Sequence, residues 1–318
     1  MMPRFINCMD IQVVMGGRFR AWLQLVRPFT LIAPFIAIFF GVVIQLSVDG
    51  DLAAFLPHVP TIVFASLALS AAQAVGQILN QIEDVEIDRL NHKDYRPITS
   101  GAISVEQAEI ATWALAIFAI LVGFAINAQY GLFMLVFLIF GIIYNLEPFR
   151  LKRRLWMNTF SLAISRGLLP LPAAWSIFGN PADATPWMLG SVMALWVLAW
   201  QNTKDFTDVE GDRQCGIVTP AVYHRWKTLT AIIGICSLLT FVLLAGYIAS
   251  GWLPGTMLTV FILALPTAWM FYKMVKNSIG FTALENNELW ASFYLVLAGF
   301  YIVAAAAYLV EPYLTLFS

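Results

Sequence analysis

Charge, cysteine and histidine are all scarce in this chain. Only 12% of the 318 residues are charged, whereas a soluble domain carries about a quarter. The three cysteines have no metal-type spacing and form no even set for disulfides, and the three histidines are isolated from one another. These absences exclude an ordinary soluble domain, a disulfide scaffold and a Cys/His metal centre. Hydrophobic residues make up 60% of the sequence, which indicates a membrane protein.

The hydrophobic residues form nine runs, each close to the roughly 20 residues that cross a bilayer as a helix. They cover residues 28–47, 60–80, 109–128, 131–146, 157–178, 187–203, 228–250, 254–272 and 289–310. The sequence therefore predicts an all-α, polytopic membrane protein with about nine transmembrane helices. Residues 1–27 lack the pattern of a secretory signal and are expected to form an interfacial segment before a single domain, 28–318.

The basic residues are distributed very unevenly between the two sides of the predicted helices. Of the 18 Lys and Arg residues, 17 fall in loops of one parity, and the opposite loops contain none. The exception, Arg166, lies inside the fifth run, where a charge needs a partner or a polar cavity. Short cytoplasmic loops collect Lys and Arg, so the N-terminus and the loops 81–108 and 204–227 are expected to face the cytoplasm. If the source is a prokaryote, the membrane is expected to be the inner or plasma membrane.

An acidic hexapeptide occurs twice in those cytoplasmic loops. Asp84–Arg89 (DVEIDR) and Asp208–Arg213 (DVEGDR) match at five of six positions, at an offset of 124 residues. Each follows the second helix of a four-helix unit, so the chain is predicted to contain a parallel repeat, 28–156 and 157–276, with a ninth helix left over and a central cavity between the helices.

Polar side chains extend both hexapeptides into stripes at helical spacing. The first stripe contains Gln73, Gln77, Asn80, Asp84 and Asp88, and the second contains Gln201, Asp205, Asp208 and Asp212. Steps of three and four residues place each set on one face of a helix. If the two faces meet, their carboxylates require cations. Oxygen ligands without His or Cys favour a hard ion, above all Mg²⁺, which often binds carboxylates together with substrate phosphates.

Basic side chains that could complete an anion site lie near these stripes. Arg27 opens the first helix, Arg96 follows the first hexapeptide, and Lys152 follows the fourth helix close to Tyr144. A metal ion together with Arg and Lys is the usual arrangement for a departing phosphate. The positive-inside rule alone also explains most of these basic residues.

Three segments make the chain resemble the UbiA-type intramembrane prenyltransferase superfamily. They are NQIEDVEIDRLN from Asn80 with RPITSG from Arg96, YNLEPFRLK from Tyr144, and KDFTDVEGD from Lys204. The chain departs from the usual first motif at Gln81, as homogentisate-type members do. Lys204 stands where the first repeat has Asn80, so the two metal sites should not be equivalent.

The resemblance implies a specific chemistry. Mg²⁺ binds the diphosphate of a prenyl donor, ionisation gives an allylic cation in an apolar cavity, and a hydrophobic or aromatic acceptor captures it. Asp84, Asp88, Asp208 and Asp212 would be catalytic, Arg27, Arg96 and Lys152 would bind diphosphate, and Tyr144 and Gln77 would line the substrate pocket. The implied metal ligands are Asn80, Asp84, Asp88, Asp205, Asp208 and Asp212.

Two other functions fit the same sequence features. A membrane terpene cyclase would perform the same ionisation but form a hydrocarbon from prenyl diphosphate without an acceptor. A cation transporter would use the acidic stripes as a binding site, although transport sites usually lie near the membrane midplane. The partners expected are therefore a prenyl diphosphate, a hydrophobic acceptor and the bilayer, with no nucleic acid, and the sequence leaves the oligomeric state open.

Overall fold

The fold is built almost entirely from helices. The computed structural model describes residues 17–282 and 287–315. The α-helices in these ranges are α1 (Gly17–Val26), α2 (Pro28–Val48), α3 (Phe55–Glu83), α4 (Val85–Leu90), α5 (Val105–Ile126), α6 (Ala128–Asn145), α7 (Met157–Leu162), α8 (Pro170–Trp175), α9 (Ala184–Trp200), α10 (Val209–Gln214), α11 (Pro220–Tyr223), α12 (Trp226–Ala249), α13 (Ala264–Val275) and α14 (Glu288–Thr315). The β pairing within the same ranges is a single antiparallel bridge between Phe281 and Asn287. The all-α prediction is confirmed.

Seven helical stretches in the described part of the chain are long and apolar enough to cross a membrane. They are Pro28–Val48, Leu52–Glu83, Val105–Ile126, Ala128–Asn145, Trp226–Ala249, Gly255–Val275 and Glu288–Leu314. The protein is a multi-pass membrane protein. The predicted count of nine is not confirmed: the fifth and sixth predicted spans, 157–178 and 187–203, contain shorter helices.

The fifth span is interrupted because of its prolines. Between α7 and α8 the chain forms a π-helix, Ala163–Leu168. Pro170 and Pro172 have no amide hydrogen, and a proline ring collides with the carbonyl four residues earlier. The turn before Pro170 widens instead, and the amide of Leu169 donates to the carbonyl of Ile164 at 3.0 Å, five residues back.

The sixth predicted span changes from α-helix to 3₁₀-helix at its C-terminal end. Helix α9 has 17 residues and continues as the 3₁₀-helix Gln201–Thr207. Side chains there compete for main-chain carbonyls: Thr203 Oγ1 donates to Trp200 O at 2.7 Å, and Asn202 Nδ2 donates to Leu198 O at 2.9 Å. Such bonds weaken the α-helical pattern.

Helix α2 contacts both halves of the chain, meaning the residues up to 156 and those from 157 onwards. It packs against α3 on one side and against α8 and α14 on the other. Its buried residues contribute to two apolar clusters, Ala37 and Ile44 to one and Ile38 and Val42 to the other. The first and last long helices are therefore neighbours, and the bundle encloses a space between them.

The N-terminal segment is described in part. Residues 1–16, which include most of the predicted interfacial segment, lie outside the described residues. Helix α1 buries Ala21 and Leu25, and Gln81 Nε2 donates to the carbonyl of Leu25 at 2.9 Å. Arg27 lies in the left-handed region, at φ 53°, where α1 turns into α2.

Candidate active site

Both acidic hexapeptides begin at a break in a helix. Asp84 separates α3 from α4 at φ −108°, and Asp208 separates the 3₁₀-helix from α10 at φ −112°. After each short helix the chain turns through a residue of positive φ, His92 at 56° and Gly216 at 66°. The two segments have similar backbone conformations. Neither polar stripe forms the continuous helical face that the spacing predicted.

The two hexapeptides meet across the halves of the molecule. Helices α4 and α10 pack together, and the amide of Gly211 donates to Asn91 Oδ1 at 3.0 Å. A Cβ at Gly211 would lie 2.6 Å from Asn91 Cγ. Gly211 is the position at which the two hexapeptides differ, with Ile87 as its counterpart, so the difference provides room for this contact.

Basic side chains neutralise the aspartates of the first motif. Lys152 Nζ lies 2.9 Å from Asp84 Oδ1, and Arg150 NH2 lies 3.3 Å from the same oxygen. Arg96 NH1 donates to both oxygens of Asp88 at 2.6 Å. Charge-assisted bonds of this kind are stronger than neutral ones, and they hold each carboxylate in a fixed orientation.

The second motif has fewer counter-charges than the first. Lys93 forms an ion pair with Asp208 from the other half of the molecule. Lys204 Nζ lies 3.0 Å from Asp205 Oδ1, and Asn158 Nδ2 donates to Asp205 Oδ2 at 3.0 Å. Asp212 is only 7% exposed and forms no ion pair with any residue that the structure describes.

The pKa values follow this distribution of charge. Burial by itself would raise the pKa of Asp208, but Lys93 and Arg96 lower it below its ordinary value. Burial, together with the Asp205 and Asp208 carboxylates, raises the pKa of Asp212 to about 8. The second motif therefore disfavours ionisation of Asp212, and a bound cation would favour it by stabilising the carboxylate.

A cavity of about 150 Å³ lies beside the motifs, roughly ten times the space that one buried water needs. Side chains from both halves line it, and polar groups at the motif end give way to apolar and aromatic ones. The lining includes Arg27, Gln77, Asn80, Lys93, Arg96, Tyr144, Asn145, Arg166, Gln201, Lys204, Asp205, Asp208, Phe137, Leu162, Trp290, Tyr294 and Tyr301.

The predicted site residues divide into two groups. Arg27, Gln77, Asn80, Arg96, Tyr144, Asp205 and Asp208 line the cavity. The cavity lining does not include Asp84, Asp88, Asp212 or Lys152. Of these, Asp84, Asp88 and Lys152 form ion pairs beside the cavity. Asn80 connects the two groups, because its Nδ2 donates to Asp84 Oδ2 at 2.8 Å and to Asn145 Oδ1 at 3.3 Å.

Several residues of this network did not stand out in the sequence as site residues. Lys93 was counted only as a positive-inside charge, and Arg150 lies in a matched segment but had no assigned role, yet they pair with Asp208 and Asp84. Asn158 joins Tyr144 to Asp205, accepting from the tyrosine hydroxyl at 2.9 Å. Its presence as a polar residue at the start of the fifth predicted span was the available signal. Lys204, which stands where the first repeat has Asn80, donates to Tyr144 OH at 2.8 Å.

The donor set fits Mg²⁺ in type. Carboxylate and amide oxygens are the ligands it prefers, and Asn80, Asp205 and Asp208 line the same cavity. The Asp205 and Asp208 carboxylates disfavour a further negative charge on Asp212, and a bound cation would stabilise that charge. No three His, Cys, Asp or Glu side chains in the described ranges lie close enough to hold a metal ion together. The ion pairs explain this spacing, since the Lys and Arg side chains occupy carboxylate oxygens that a metal would take.

Fold and site together define a helical membrane protein with two acidic motifs at one mouth of an internal cavity. The model of the UbiA prenyltransferase family matches residues 35–283, and the chain belongs to that family. The chain is similar to a digeranylgeranylglyceryl phosphate synthase of Methanosphaera stadtmanae, 26% identical over 70% of this chain and 75% of the relative. It is also similar to a homogentisate phytyltransferase of Synechocystis, 26% identical over 63% and 67% of the two chains.

The fold is that of solved UbiA homologues. The structure of a homologue from Archaeoglobus fulgidus bound to GPP and Mg²⁺ superposes with a TM-score of 0.66, at 20% identity, over 91% of this chain and all of that one. The resemblance seen in the sequence is confirmed, and the protein is a prenyltransferase of this family.

Proposed function

We propose that the protein transfers a prenyl group from a prenyl diphosphate to a lipid or aromatic acceptor, with Mg²⁺ held between the two acidic motifs. The observation that carries the proposal is the contact of Lys93 with Asp208, which joins the first half of the molecule to the second motif at the cavity. Relatives named for a glycerol phosphate product and for homogentisate support both acceptor classes. We further propose that the motifs face the cytoplasm, as the positive-inside rule requires.

The site residues have two roles, binding the diphosphate and holding the metal ion. Arg27, Arg96 and Lys152 bind the diphosphate, while Asn80, Asp84, Asp88, Asp205, Asp208 and Asp212 hold Mg²⁺, which supplies positive charge to the leaving group. Arg96 and Lys152 exchange their aspartate partners for diphosphate oxygens when the donor enters. The apolar end of the cavity excludes water from the allylic cation, and the Tyr144 ring faces the same space.

The function is tested with purified protein and geranylgeranyl diphosphate. We expect Mg²⁺-dependent diphosphate release that requires an acceptor, supplied as a membrane lipid extract or as homogentisate, and a prenylated product in the mass spectrum. A hydrocarbon product formed without acceptor would instead identify a cyclase. Metal flux into proteoliposomes without diphosphate would identify a transporter.

Replacement of Arg96 separates donor binding from metal binding. We expect Arg96→Met to raise KM for the prenyl diphosphate by about 10- to 100-fold, because a charge-assisted contact is lost. Mg²⁺ binding without donor should not weaken, since Asp88 becomes free of its bidentate partner. Steady-state kinetics and calorimetry measure the two effects. Arg89→Met is the control, because Arg89 is exposed in the same loop, and an equal effect there would contradict this role.

Metal binding should release a proton. The Asp212 carboxyl, with its pKa raised to about 8, is protonated at pH 7 and must lose that proton to become a metal ligand. We expect release of about one proton per metal ion at pH 7 and far less at pH 9. Calorimetry in buffers of different ionisation enthalpy measures it, and Asp212→Asn should abolish it. A buffer-independent enthalpy at pH 7 would contradict the assignment.

A further inference from the structure

Arg166 is a charged side chain within the fifth predicted span, and its hydrogen-bond partners in the described part of the chain are neutral. Its NH1 donates to Tyr294 OH at 2.7 Å and to Gln201 Oε1 at 3.3 Å, two neutral partners. It forms no ion pair with a carboxylate in the described ranges. A charged side chain inside a membrane protein is costly and usually has a partner or a functional role, and Arg166 lines the cavity.

The groups around Arg166 offer hydrogen-bond donors to the cavity. Arginine can only donate, so the Gln201 amide presents its oxygen to Arg166 and its NH₂ group away from it. That Nε2 is buried and has no hydrogen-bond partner within the described chain, and Gln201 is 1% exposed. Tyr294 accepts from Arg166, which leaves its own hydroxyl hydrogen available to donate.

The interrupted fifth span fixes this arrangement. Arg166 lies on the π-helix before Pro170, and π-turns frequently occur at functional sites. Gly167 brings this turn close to α9, because a Cβ there would lie 2.6 Å from Ala194 Cα. The close packing of these two segments places Arg166 beside Gln201. Arg166 therefore lies beside Gln201, which comes four residues before Asp205 in the same 3₁₀-helix.

We propose that Arg166, Gln201 and Tyr294 form a subsite for the anionic group, a carboxylate or a phosphate, of the acceptor that enters the cavity. A positive charge and two unused donors favour an anion over a cation or a purely apolar ligand. The identification of the ligand as the acceptor rests on the proposed function. The anion subsite itself does not, and a binding experiment tests it separately.

The first test compares probes that share one alkyl tail. Full-length protein in neutral detergent, without metal, is titrated with dodecyl phosphate, dodecanoate and dodecanol, and binding is followed by calorimetry. We expect at least one anionic probe to bind about tenfold or more tightly than dodecanol, and the tighter of the two identifies the headgroup. Arg166→Met should weaken the binding of that probe by about 10- to 100-fold. Equal binding of dodecanol, or unchanged binding to Arg166→Met, would overturn the proposal.

Further variants separate this subsite from the diphosphate site and from misfolding. Gln201→Glu places a carboxylate beside Arg166, so the cation gains a partner within the protein and the fold should be retained, while binding of the anionic probe should be lost. Mg²⁺ with pyrophosphate should bind Arg166→Met as it binds the wild type, and Lys227→Met, an exposed charge removal, should change neither ligand. The subsite would be refuted if Gln201→Glu still bound the anionic probe. It would also be refuted if Arg166→Met weakened pyrophosphate binding as much as it weakened probe binding. Failure of prenyl transfer alone would affect only the proposed function.

Discussion

Asp208→Asn is expected to reduce Mg²⁺-dependent diphosphate release by about 1,000-fold or more, a loss typical of removing a group that stabilises transition-state charge. Asparagine keeps the shape of the side chain but removes the negative oxygen that a metal ion requires. It also leaves Lys93, which is only 5% exposed, without the carboxylate that it contacts across the two halves. The measurement is single-turnover release of diphosphate from geranylgeranyl diphosphate at saturating Mg²⁺.

The matched control for this substitution lies in the same hexapeptide. Glu210 is exposed and its Oε1 accepts from Gln214 Nε2 at 2.9 Å, so Glu210→Gln should keep nearly full activity. If Asp208→Asn retained more than half of the wild-type rate, the second motif would not be part of the active site. The same result with Asp84→Asn would exclude the first motif as well.

Gly190→Ala and Gly167→Ala are expected to destabilise the fold by about 1–3 kcal/mol or more, the range for overpacking a close contact. A Cβ on Gly190 would collide with the carbonyl oxygen of Leu168, and one on Gly167 would lie 2.7 Å from Ala194 N. Both obstacles are main-chain atoms, which no rotamer change can move. The π-helix and α9 would have to separate, and Arg166 would move with them.

Thermal unfolding in detergent, followed by tryptophan fluorescence, measures the effect of these substitutions. Gly246→Ala is the control, since Gly246 lies within α12 with nothing within 4 Å of a Cβ. Alanine there should be neutral or slightly stabilising, because it has the higher helix propensity. Equal melting temperatures for all three variants would show that the close approach of the π-helix and α9 does not limit stability.

Apolar runs in the sequence predicted the helical class, and the resemblance carried by the matched segments predicted the family. Apolar runs of bilayer length and the two hexapeptides were sufficient, because both signals are local and repeat within one chain. The breaks in the helices were harder to predict. The effect of Pro170 and Pro172 on the turn before them depends on packing against α9, and the 3₁₀ turn at Gln201 depends on side-chain bonds such as Thr203 to Trp200. The four-helix repeat stays a prediction that the matching backbones at Asp84 and Asp208 support.

The sequence by itself determined that the protein is a membrane-embedded, helical member of this family, with Asp84, Asp88, Asp205, Asp208 and Asp212 as its acidic groups. Hydrophobic length and motif spacing are properties of the chain alone, so no tertiary information was needed. Only the tertiary structure decided which cation meets which carboxylate. Lys93 and Asp208 are 115 residues apart, and Arg166 and Tyr294 are 128 apart. Such pairings depend on how helices pack, and a positive charge gives no local sign of its distant partner.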